Sequence, residues 1–239
     1  WLGGSLAAGS TFVAFGVADA LARPRIELVR GSEVLGANAG WASGGDATGI
    51  AAASARAGLF PLDVASPDSA LLATLAPAAY TAVITDALGR GGNGLVEIYD
   101  LAAVDGGARL ANLSARAVAG TEDAALIAGF TVAGTAPKAV LIRAIGPTLG
   151  AFGVEGALRK ATLTLFRGQS AVAANSGWTG SSDALEIARL SAVAGAFPLV
   201  TGSGDAALLA RLEPGNYTAQ VNGAAGETGV ALLEIYEAL

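Results

Sequence analysis

Two short stretches carry the residues best suited to chemistry. NAGW, Asn38 to Trp41, closes an apolar run and is followed by Asp46; NSGW, Asn175 to Trp178, is followed at the same distance by Asp183. An amide, an indole and a carboxylate so spaced admit three readings. Exposed, Trp41 and Trp178 would serve as platforms for a sugar ring, because an indole offers a large amphipathic face. The oxygens of Asn38 with Asp46, and of Asn175 with Asp183, would favour Ca²⁺, a hard cation that takes oxygen ligands. Buried, the same residues would form a structural corner. Asn38, Gly40, Asn175 and Gly177 would then supply turn conformations, including positive φ, and each Trp would anchor its corner on a sheet. The carboxylates are too few for a dense oxygen cage. The corner is therefore the expected role, with no cofactor and Ca²⁺ the metal to consider.

Other chemistry is sparse. Glu97 and Glu234 lie in matched strands, VEIY and LEIY. Neighbouring side chains on a strand face opposite ways, so each acid is expected to point to solvent or to a subunit contact while the adjacent Ile packs inward. A glycosidase needs two carboxylates facing each other across a cleft, and nothing in the spacing suggests that. His and Cys are both absent. That closes off the usual triads, thiol chemistry and zinc sites. No enzyme activity is expected.

The net charge is −6 and the basic residues are scattered. Without a basic stripe or interleaved aromatics, nucleic acid is not an expected partner. No apolar run reaches the ~18 residues that a membrane span needs. Hydrophobic residues make up 53% of the chain and charged residues 14%. Such a balance points to buried strands, or to surfaces that other chains cover. Met is absent too, so Trp1 is read as the start of a processed chain or of an excerpt.

What positions these residues is an internal repeat. AFGVADAL (Ala14–Leu21) matches AFGVEGAL (Ala151–Leu158), GLFPL (Gly58–Leu62) matches GAFPL (Gly195–Leu199), and DSALLATLAPAAYTA (Asp68–Ala82) matches DAALLARLEPGNYTA (Asp205–Ala219). LVEIYD (Leu95–Asp100) matches LLEIYE (Leu232–Glu237). All hold one offset without a gap, 158 − 21 = 137 positions, which marks a duplication. Between the copies lie apolar runs at Leu113–Ala119, Ala124–Val132 and Ala139–Ala144. Only WLGGSLAAGSTFV (Trp1–Val13), a degenerate counterpart of the last of these, precedes the first copy. The first unit is thus expected to lack its opening strands.

Within a unit the pattern is one of short strands with turn punctuation. ATLTLFRG places Leu163 and Leu165 on one face and Thr162 and Thr164 on the other. Asp183–Ala194 reads as the one helix, with Ala184, Ile187, Leu190 and Ala194 near one stripe and Asp183 or Ser182 as its cap. Eight or so strands with few helices predict an all-β fold of two tandem antiparallel β-sandwich units, jelly-roll-like, each with one short helix. Residues 1–100 form the first unit and residues 101–239 the second, more complete one, including strands between 113 and 144.

Three stretches carry a resemblance: LSARAVAGTEDAALIAGFTVAG, KAVLIRAIGPTLGAFGV and YTAQVNGAAGETGVALLEIYE. Together they resemble a tandem repeat found near the C-termini of large exported bacterial surface proteins. The LTLF…AANSGW…LEPGNYTAQV portion is similar, more distantly, to pre-peptidase C-terminal-type β-sandwiches. The resemblance implies an extracellular or cell-surface setting and an accessory, non-catalytic role. It departs where the opening strands of the first unit are missing. A sandwich short of strands exposes an apolar groove and unpaired edges, which a strand from another chain can fill. The expected function is therefore a subunit of a homopolymeric filament or surface layer, completed by strand exchange. The donor would be the N-terminal region or Leu113–Ala144. The alternative is a carbohydrate-binding or adhesive module within a large secreted multi-domain protein. Partners are then other copies of the chain, or polysaccharide.

Overall fold

The computed structural model describes residues 19–44, 46–59, 61–101 and 111–238, and the backbone of residues 2–8. Ala14–Ala18 of the first repeat copy and Phe60 of GLFPL lie outside these residues. The chain divides into two compact units, Trp1–Leu110 and Ala111–Leu239. The boundary expected after residue 100 abuts residues 102–110, which also lie outside the described residues.

The first unit contains β1 (Leu2–Ala8), β2 (Pro24–Arg30), β3 (Glu33–Asn38), α1 (Ala47–Ala57), β4 (Ser69–Thr74), β5 (Thr81–Asp86) and β6 (Leu95–Asp100). The second contains β7 (Asn112–Ala119), β8 (Leu126–Val132), β9 (Lys138–Ile145), β10 (Ala161–Arg167), β11 (Ser170–Asn175), α2 (Ala184–Val193), β12 (Ala206–Leu212), β13 (Gly215–Gly223) and β14 (Gly229–Glu237). No helix among the described residues is long and apolar enough to cross a membrane.

The second unit is a two-sheet sandwich. One sheet runs β12-β9-β14-β7 and the other β11-β10-β13-β8, with every neighbouring pair antiparallel. Counting its eight strands in chain order, the sheets read 1-8-3-6 and 2-7-4-5, the order of a jelly roll. Alternation builds the interior: Leu163 and Leu165 of β10 are fully buried there beside Val140, Ile142 and Ala144 of β9. β9 is apolar almost throughout because both of its faces are covered. Its Leu141 and Ile145 face outward into a second cluster, beneath α2, with Ile187, Leu190 and Trp178. Ile187 and Leu190 are three positions apart, on one helical face. Asp183 precedes α2, but its side chain makes no capping bond. Both helices instead share their exit. Gly58 (φ 73°) and Gly195 (φ 72°) adopt the left-handed conformation that glycine tolerates best. The following amides close each last turn, from Leu59 to Ser54 O and from Ala196 to Ser191 O.

Among the described residues the first unit repeats this plan with two strands fewer. Its sheets run β4-β1-β6 and β3-β2-β5. β1 is the counterpart of β9, since Leu2 faces Thr74 as Ala139 faces Arg211, and Gly3 faces Asp100 as Val140 faces Glu237. No strand among the described residues stands where β7 and β8 stand in the second unit. Among the described residues β6 and β5 therefore end their sheets, whereas β14 and β13 pair onward with β7 and β8.

Candidate functional site

The two corners are built alike. Each asparagine ends the edge strand of one sheet and reaches the other sheet. The Ala70 amide donates to Asn38 Oδ1 at 3.2 Å, and the Ala207 amide to Asn175 Oδ1 at 3.1 Å. Each Asn amide group also donates back to its own turn, to Gly40 O and Gly177 O. The tryptophan that follows is inside: Trp41 is 5% exposed and Trp178 7%. Its ring nitrogen donates to a loop carbonyl, Asp63 O at 2.9 Å or Val200 O at 3.1 Å. Its backbone amide donates to Asp68 O or Asp205 O. Neither indole presents a face to solvent, so the geometry of a sugar platform is missing at both.

The glycines differ. Gly40 has φ 113°, and a Cβ there would lie 2.9 Å from Ser43 Oγ, so glycine is required. Gly177 has φ 171°, ordinary extended backbone with open space around it, so the positive φ expected at this position is absent. The aspartates also diverge. Asp46 caps α1, accepting from the Gly49 amide at 3.2 Å. The Asp183 amide donates to Ser181 Oγ, and its carboxylate is exposed. Neither acid is brought against its asparagine, whose amide is already committed to backbone. Among the described residues no group of three acidic side chains gathers as a metal site.

Glu234 corrects an expectation. It was placed at solvent or a subunit contact, and it is 6% exposed. The reason is the layer of α2 and its flanking loops, which covers the outer face of the sheet as fully as the second sheet covers the inner one. Ile235 packs in the interior, and Glu234 packs under that outer layer. Its partner is Arg143, directly opposite on β9 and fully buried, with Nε 3.1 Å from Oε2. The contact is an ion pair rather than an aligned hydrogen bond, and none of the guanidinium nitrogens finds a hydrogen-bond acceptor among the described residues. The Phe197 ring lies 4.9 Å below the guanidinium carbon, an attractive cation–π geometry. Tyr236 donates to Glu234 Oε1 at 3.0 Å. Burial holds the Tyr236 phenol proton more tightly, aided by the Glu234 charge, so its pKa rises to about 12. Burial likewise lowers that of Arg143, against the pull of Glu234.

Asp205, fully buried, ties the next layer together. It accepts from the Gly146 amide at 2.8 Å and from the Thr148 amide and hydroxyl, and Ser203 Oγ donates to it at 2.6 Å. Sequence reasoning passed over both Arg143 and Asp205. A usable signal existed for the first: Arg143 is a lone charge inside the apolar run AVLIRAI, on a strand expected to be buried.

The first unit has no such pair. Leu6 stands opposite Glu97 in the register where Arg143 stands opposite Glu234. Glu97 is half-buried and accepts from Tyr99 at 2.9 Å. The first unit also has an open groove of about 360 Å³, lined by Leu28 and Arg30 of β2, Leu35 of β3, Leu71 and Thr74 of β4, and Tyr80 among others. The counterparts of Leu28, Leu71, Leu75 and Tyr80, which are Leu165, Leu208, Leu212 and Tyr217, belong to the interior cluster of the second unit, together with Phe130 and Val132 of β8 and Leu113 of β7. Phe130 stacks on Tyr217 at 5.7 Å. The groove lies among β2, β3 and β4, away from the edges formed by β5 and β6.

No protein-family model matches the chain, and no curated protein matches it. A solved structure to which it is similar is the pre-peptidase C-terminal domain of a collagenase from Bacillus anthracis, with 15% sequence identity and a TM-score of 0.32, covering 52% of this chain and 88% of that one. A likeness at that score carries no argument about function.

Proposed function

We propose that the chain is a non-catalytic structural protein of the bacterial exterior, and that its first unit is the surface through which copies join into a filament or layer. The observation that carries this reading is the open side of that unit. Among the described residues β5 pairs only with β2 and β6 only with β1, so both sheets end on the same side. The edges read TAVITD and LVEIYD, without the lysine or proline that usually blunts an exposed edge. Strand addition by a neighbour would satisfy the backbone of those edges. A contact between two different surfaces, repeated, gives an open fibre when the rotation between neighbours does not close into a ring. The exterior setting rests on the resemblance of Leu113–Gly134 and the stretches after it to repeats of exported proteins. The non-catalytic role is supported by where the candidate groups lie: the tryptophans in their own cores, and Glu234 bound to Arg143.

The test is direct. Purified residues 1–239 should grow in mass with concentration by light scattering and show ordered fibres or sheets in negative stain. A folded monomer at every concentration would end the reading.

A further inference from the structure

We infer that the open side of the first unit is a receptor for one kind of segment: a two-strand arch of the β7–β8 type, one strand for each sheet, with apolar residues at alternate positions. This rests on the joining role proposed above and names the partner it takes. The second unit shows how the place is filled. There β7 extends one sheet and β8 the other, with the residues between them crossing the sandwich. Inward residues Leu126, Ala128 and Val132 of β8, with Leu113 and Ala115 of β7, enter the interior cluster. Because the two units share register strand for strand, the docking register is fixed. Ala128 faces Ala219 and Ala115 faces Leu233 in the second unit, so an arch in the first unit would set these positions opposite Ala82 and Val96. A slip of one residue would turn every inward side chain outward, so a side-chain pattern of this phase is selected.

Counting sharpens what the partner is. The described chain holds one arch and two receptors. Moving β7–β8 from one copy's second unit into another's first unit opens the donor, so exchange among copies leaves one open unit per chain. An arch of this pattern that its own unit does not need, carried by a further repeat of this kind, fills the first unit without opening another. Leu113–Ala144, one of the two expected donors, completes its own unit.

The chain has no cysteine, which makes trapping clean. A synthetic peptide of residues 111–133 carrying Ala128→Cys is mixed with the full chain carrying Ala82→Cys in a glutathione redox buffer. The mixed disulfide is read by mass. The expected result is at least tenfold more conjugate than with a peptide carrying Ile127→Cys, whose cysteine points to the other face. The chain carrying Ala219→Cys, where β8 already stands, should stay unlabelled. Equal labelling by both peptides, or none, overturns the inference; circular dichroism of the Ala82→Cys chain shows that it is folded. The outcome separates from that of the joining reading. Specific labelling with no fibres keeps the receptor and removes the polymer. Fibres with no specific labelling keep the polymer and remove the arch.

Discussion

The two units share six strands, a helix and a corner in matching register, and they part company on one side of the sandwich. In the second unit Ile235 is 6% exposed; its counterpart Ile98 in the first is 37% exposed. The difference lies in the neighbours, since both stretches read EIY and both strands pair with the same partner on the other flank. The shared strands set topology and register by themselves. Closing the interior takes two more strands, which extend the edges of both sheets at once.

The sharpest way to break this comparison is the matched glutamates. Glu234→Ala leaves Arg143 buried without its counter-charge, and the second unit should lose about 3–5 kcal/mol. Glu97→Ala, with Leu6 opposite, should cost well under half of that. Hydrogen exchange read by mass spectrometry during denaturant unfolding measures the units separately, and equal losses would contradict the pairing. The double change Arg143→Leu with Glu234→Leu should restore stability or raise it by about 1–4 kcal/mol, since apolar packing replaces the buried pair.

A smaller contrast is expected at the tryptophans. Trp178→Ala should cost the second unit about 3–5 kcal/mol by emptying the cluster under α2. Trp41→Ala should cost less, because its cluster holds only Ile50 and Ala70 as buried partners among the described residues. The asparagines should show a smaller contrast. Asn38→Ala and Asn175→Ala each leave one amide between the sheets without its acceptor, at about 1–3 kcal/mol by the same measurement. Asn175→Ala should cost more, because the Gly177 amide also donates to Asn175 Oδ1, at 3.0 Å, whereas the Gly40 amide donates to Ser69 Oγ; equal losses would mean that this extra bond contributes nothing.

The last test concerns alkali. Tyr99 and Tyr236 both have phenol pKa values raised to about 12, in each case by burial first and the adjacent glutamate second. Each proton is held more tightly in the folded chain than in the unfolded one, where the ordinary value is 10.0. The stability this contributes is whole below about pH 10 and is lost as pH rises through about 12. Tyrosinate absorbance should therefore place two of the four tyrosines late. Titration of Tyr99 and Tyr236 near pH 10 would contradict the burial of both.

Much of the fold was legible because duplication prints it twice. β2 and β10, and β3 and β11, have identical bounds at the repeat offset. Alternation identified β10, and the stripe of Ile187 and Leu190 identified α2. The surroundings of Glu234 were not legible. Alternation along a strand assigns one face to the interior and leaves the other to solvent, and it cannot see that a helix and its loops bury the second face as well. Gly177 escaped for a local reason: the same residue type at the same repeat position has φ 171° in one copy and 113° in the other. A glycine permits positive φ without requiring it.

The placement of β1 has a mechanical consequence. β1 lies in the middle of its sheet, bonded to β4 on one flank and β6 on the other. Tension applied to the first unit through that strand must break two ladders at once. Tension applied to the second unit through its own first strand, β7, works on an edge and peels a single ladder. Under load, the unit with fewer strands would hold its leading strand harder than the complete one does.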